Sequence, residues 1–99
     1  MMAGQIRMTP EQLKQRAKVY YNSGITIEDM MNKLNQVQTQ IASEWEGRAF
    51  ERYDEQFRQL AGEVEKFAQL MFEIDQQLQK TAEAMAQQDE ALSQNFGLR

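Results

Sequence analysis

Five carboxylates gather in the middle of the chain: Glu44, Glu46, Glu51, Asp54 and Glu55. Clustered acids of this kind could act as a general acid and base or hold a divalent cation. Both roles ask for further groups, and the 99 residues contain no His and no Cys. That composition excludes thiol and histidine catalysis, zinc sites, disulfide staples and the Glu-x-x-His ligands of iron-carboxylate bundles. No glycine-rich phosphate loop is present either. Acids at the start of a helix favour the positive end of its dipole. The five therefore read as a solvated face, and the expectation is a protein that is not an enzyme and holds no metal and no cofactor.

The other chemically distinctive stretch is Glu44-Trp45-Glu46-Gly47, which contains the only Trp of the chain, close to its midpoint. Apolar residues recur at helical spacing on either side, and the pattern pauses here. A Gly can take the positive φ that ends a helix, so residues 44–47 read as a tight turn between two helices. Trp45 has two readings. It plugs the end of a helical core, or it marks a surface against which something packs.

The elements that position this turn are legible from their spacing. Thr9-Pro10-Glu11-Gln12 is a helix start: Thr as N-cap, Pro in the first turn, Glu near the positive dipole end and Gln at the third position. From there Leu13, Ala17, Tyr20, Gly24, Ile27, Met31, Leu34, Gln38, Ile41 and Trp45 alternate steps of four and three, the heptad pattern of a packed helix over residues 9–43. Gly24 reads as a tolerated glycine and a point of possible bending, because the stripe crosses it in phase. A second helix is expected over residues 48–94, with a seam of Phe50, Tyr53, Phe57, Leu60, Val64, Phe67, Met71, Ile74, Leu78, Thr81, Met85, Gln88 and Leu92. Residues 1–8 and 95–99 read as flexible ends.

Two helices joined by so short a link must lie antiparallel. The fold class is therefore all-α, one helical-hairpin domain over residues 1–99, a rod on the order of 50–65 Å long. Each helix also carries apolar residues beside its seam: Tyr21, Met30 and Val37 on the first, Ala61, Ala68, Leu70 and Phe72 on the second. Closing one seam would leave these wet. Docking a second copy, to make a four-helix bundle, is the simplest way to cover them; a monomer with singly exposed apolar residues is the other.

Net charge is −4, and the acidity lies in the second half. Residues 1–45 carry five basic and four acidic side chains, residues 46–99 six and eleven. With no basic stripe, nucleic acid is not an expected partner, and anionic membrane is a poor one. The first residues lack a basic start followed by an apolar run, so no cleavable signal peptide is expected. No stretch is apolar for long enough to cross a bilayer.

The length, the two seams and the central Trp45-Glu46-Gly47 together resemble the WXG family, the ESAT-type (EsxA-like) small substrates of type VII secretion in Gram-positive bacteria. The resemblance covers the whole chain. Three segments are particularly similar to members of the firmicute branch: Ile41-Ala42-Ser43-Glu44-Trp45-Glu46-Gly47-Arg48-Ala49-Phe50, Val64-Glu65-Lys66-Phe67-Ala68-Gln69-Leu70 and Asn95-Phe96-Gly97-Leu98. That branch carries a hydrophobic residue, an acid four later, a hydrophobic residue three later and another four after that. Met85, Asp89, Leu92 and Phe96 match this spacing and fall along one helix face. The Tyr-x-x-x-acid signal of the mycobacterial branch is missing, since Tyr20, Tyr21 and Tyr53 are followed four residues on by Gly24, Ile25 and Phe57.

The resemblance implies a secreted, non-catalytic substrate or component of a type VII system, a virulence-associated factor that leaves the cell as a folded homodimer or with a related WXG-type partner. It implies a composite export signal, in which Trp45 and Gly47 of one copy approach Met85, Asp89, Leu92 and Phe96 of the other, read by a membrane-bound FtsK/SpoIIIE-type ATPase. It leaves two alternatives. One is an exported effector that makes transient contact with membranes and perturbs them; the other is a cytosolic coiled-coil adaptor whose Trp is only core.

Overall fold

A computed structural model of the chain describes residues 8–45 and 47–95, the last seven of these by their backbone alone. It contains two helices, α1 (Pro10–Glu44) and α2 (Arg48–Asn95), packed side by side as an antiparallel hairpin. The start of α1 is closed by a reciprocal capping box. Thr9 Oγ1 accepts from the Gln12 amide at 3.1 Å, and the Gln12 side chain accepts from the Thr9 amide at 3.0 Å. Pro10, which has no N–H to leave unpaired, occupies the first turn.

At the other end α1 stops because Trp45 takes an extended backbone (φ −118°, ψ 118°), while its N–H still donates to the Ile41 carbonyl at 2.9 Å. Gly47 has φ +113°, a conformation that a β-carbon would strain, and α2 begins at the next residue. The chain thus reverses within the three residues between the helices.

The helices differ in length, 35 against 48 residues. Gly24 lies opposite Phe72, so, with both helices rising about 1.5 Å per residue, the first residue of α1 falls opposite about residue 86 of α2. About two and a half turns of α2 therefore project past the end of α1. With this overhang the molecule is 75 Å long, beyond the expected rod of about 50–65 Å.

The seam between the helices is narrow and made of small residues. Ala17, Ala68 and Ala82 are fully covered, Leu13 and Gly24 are buried, and among the described residues no large side chain is completely enclosed. Gly24 sits within one continuous helix, as a tolerated glycine would, but it also has a packing role. The helix runs through it unbroken, and the Phe72 ring lies against it so closely that a β-carbon there would meet Cε1 at 2.6 Å. Tyr21 braces that ring from the side, with centroids 5.3 Å apart.

The face that α2 turns toward α1 is rotated from the expected one. The alternating pattern pairs the α2 column Phe50, Phe57, Val64, Met71, Leu78 with the adjoining column Tyr53, Leu60, Phe67, Ile74. In the hairpin the first column is half-buried, but its companion is Asp54, Ala61, Ala68, Asp75 and Ala82. Small side chains let two helix backbones approach, and rings do not fit at that distance. Phe67 is consequently 52 % exposed and Leu60 57 %. On α1, Leu13 is buried and Ile27, Met31 and Ile41 are half-buried, but Tyr20 and Leu34 are exposed. Ala61, Ala68 and Phe72, expected to be left wet beside the seam, are the residues that line it, whereas Tyr21, Met30, Val37 and Leu70 are exposed.

Candidate functional site: an aromatic tip and an apolar face

Among the described residues, the carboxylates near the turn do not assemble into a reactive group. Glu44, Glu51 and Glu55 are exposed, and no three acids converge where they could hold a metal ion. Glu46 lies outside the described residues. Asp54 alone is drawn into the seam. It accepts from Gln38 Nε2 at 3.0 Å across the hairpin and pairs with Arg58 Nε at 2.9 Å one turn along its own helix. Because a carboxylate can only accept, the Gln38 amide must present its NH2 group to Asp54, which leaves Gln38 Oε1 buried with no protein donor. This polar contact crosses a seam lined mainly by small and apolar side chains and gives the hairpin a register to keep.

The turn carries an aromatic cluster instead. Trp45 leaves α1 with its indole lying on two rings from the first turns of α2: Phe50 at 5.8 Å, edge-on, and Tyr53 at 5.7 Å, tilted by 33°. Phe50 and Tyr53 are three residues apart, hence neighbours on the helix surface, with centroids 6.3 Å apart. Trp45 nonetheless keeps 41 % of its surface in solvent. It does not plug a core; it is a held and accessible aromatic at the end of the rod. Sequence spacing had assigned Phe50 and Tyr53 to the α2 seam, and the only hint of their second role was an aromatic pair at helical spacing directly after the Trp.

A second feature runs the length of the hairpin. Tyr21 and Phe72 meet on one side, where Glu28, Asn32, Asn35 and Glu65 border a polar groove. The opposite side takes the remaining columns: Tyr20, Met30, Leu34 and Val37 from α1, with Tyr53, Leu60 and Phe67 from α2, all exposed. This is one continuous apolar face. Of the C-terminal residues, Met85 is half-buried in α2 level with the start of α1, Asp89 and Leu92 lie in α2 with side chains outside the described residues, and Phe96 lies outside them altogether. Among the described residues, no helix is long and apolar enough to cross a membrane.

Residues 5–90 match the family described as WXG100, proteins of 100 residues with WXG. The chain belongs to the WXG100 family. It is 47 % identical over 94 residues to a Staphylococcus aureus protein named type VII secretion system extracellular protein A, covering 95 % of this chain and 97 % of that one. Among solved structures, EsxA of Geobacillus thermodenitrificans superposes with a TM-score of 0.79 at 29 % identity, over 90 % of this chain and 97 % of its own. A point variant of the secreted protein EsxB of Bacillus anthracis str. Sterne gives 0.78 at 20 % identity, over 90 % and 99 %, and shows the shared hairpin fold. As a WXG100 protein with such relatives, the chain is a secreted component of a type VII secretion system.

Proposed function

We propose that two copies of this chain pair through the apolar face and leave the cell together as a folded, non-catalytic export substrate. The observation that carries this reading is the imbalance between core and surface. The hairpin exposes 8328 Å², against about 5,800 Å² for a compact protein of the same mass. The excess includes the exposed Tyr20, Leu34, Leu60 and Phe67, all on one side. A seam closed by alanines buries too little to hold two long helices by itself, and pairing face to face supplies the missing core.

Antiparallel pairing brings the Trp45 tip of one copy to the overhanging α2 end of the other. Trp45 and Gly47 then stand beside Met85, Asp89, Leu92 and Phe96 of the second copy, a composite signal suited to a membrane-bound FtsK/SpoIIIE-type ATPase. The overhang supports this reading, since α2 extends past the first residue of α1 and its last turns have no α1 beside them in their own hairpin. The test is native mass by light scattering across a dilution series. A stable species of twice 11.6 kDa is expected; a chain that remains at the monomer mass at every concentration refutes the pairing.

A further inference from the structure

The tip contains more of the recognition surface than its Trp and Gly. We propose that Tyr53, together with Phe50, is a positioning residue for the export signal, a ring that fixes the direction in which Trp45 is presented; this rests on the reading of the tip as part of that signal. Trp45 stands outside regular helix, on an extended backbone within a three-residue link that contains a positive-φ glycine. Such a residue has little of its own to hold its side chain in one rotamer. The holding comes from the first turns of α2, which are regular helix. Phe50 meets the indole edge-on and Tyr53 meets it at a shallow tilt, both within 6 Å. The two rings cover one side of the indole while its exposed surface remains open to a reader. An anchor already fixed in its bound orientation loses less freedom on docking, and the saving appears as affinity without any contact between Tyr53 and the reader. The site that accepts this anchor should be a concave apolar surface, since what the tip offers is ring area, with the charged Glu44, Arg48 and Glu51 standing around it as a wet rim.

The chain's only Trp is the one at issue, so its fluorescence reports this site alone. The experiment compares native chain, Tyr53→Leu, Tyr53→Phe and Trp45→Ala for export into the medium of a host carrying the secretion system, and the first three for Trp45 anisotropy and quenching by acrylamide. Leu keeps apolar bulk on the face used for pairing and removes only the ring, and light scattering and circular dichroism verify mass and helicity. Expected for Tyr53→Leu are lower anisotropy, easier quenching and export reduced about two- to tenfold, the range that a lost aromatic pair produces. Tyr53→Phe keeps the ring and should restore both. Phe50→Leu, which removes the other wall, should repeat the loss and stands in if Tyr53→Leu does not fold. The inference is overturned if the variants loosen Trp45 and still export at native levels, if Trp45 is as firmly held without the ring, or if Tyr53→Phe exports as poorly as Tyr53→Leu. Normal export of Trp45→Ala would instead remove the reading of the tip itself. Loss with Trp45→Ala and none with Tyr53→Leu removes the positioning role only.

Discussion

The Phe72 ring occupies the space where a β-carbon on Gly24 would stand, 2.6 Å from its own Cε1. The ring packs directly on the α1 backbone at the one point of contact where α1 has no side chain to hold it off. Gly24→Ala sets two effects against each other, a helix-propensity gain of about 1 kcal/mol and an overpacking cost of about 1–3 kcal/mol. Tyr21 leans on the Phe72 ring and limits where it can swing, so overpacking should prevail. A lower urea midpoint is expected for Gly24→Ala. The double variant with Phe72→Leu should recover part of the loss, and additive losses in the two variants would show that this contact does not set the helix spacing.

Gln38 and Asp54 should respond unequally to truncation. Asp54→Ala leaves the buried Gln38 amide with no partner at either end and is expected to cost about 1–3 kcal/mol in denaturant unfolding. Gln38→Leu removes the orphaned oxygen and leaves Asp54 its Arg58 partner, so its cost should stay within about 1 kcal/mol. Equal losses for both would mean that the hydrogen bond carries no register information.

Charge on the apolar face should separate the paired chains. Phe67→Glu places an unpartnered carboxylate at the proposed junction, where desolvation costs several kcal/mol. Light scattering should then report 11.6 kDa in place of twice that mass. Glu28→Gln, on the opposite groove, should leave the mass unchanged.

Export should depend on the tip and on the overhang separately from folding. Trp45→Ala removes a ring that is 41 % exposed, so helicity should hardly change, while secreted protein falls about tenfold or more if the ring is an anchor. Asp89→Ala, on the overhang, should lower export in the same way. Normal amounts of both variants in the medium would dismiss the composite signal.

The sequence by itself determined the two helices, the cap at Thr9, the reversal around Trp45 and the family, because these rest on local rules. Those rules are a capping hydroxyl, a 3.6-residue period, a glycine free to take positive φ, and an unusual Trp at a fixed place. It also showed that α2 has more apolar surface than one neighbour can cover. Which part of that surface faces α1 was decided by tertiary structure alone. A heptad pattern gives the seam to the apolar column Tyr53, Leu60, Phe67 and Ile74, but side-chain volume across the gap gives it to the column of Ala61, Ala68 and Ala82 instead. Ala61, Ala68 and Ala82 allow the close approach to α1, with Gly24 receiving the Phe72 ring, so Leu60 and Phe67 turn outward. The same holds at the tip. Phe50 and Tyr53 are seam residues by period, and only the reversal of the chain lays Trp45 on them.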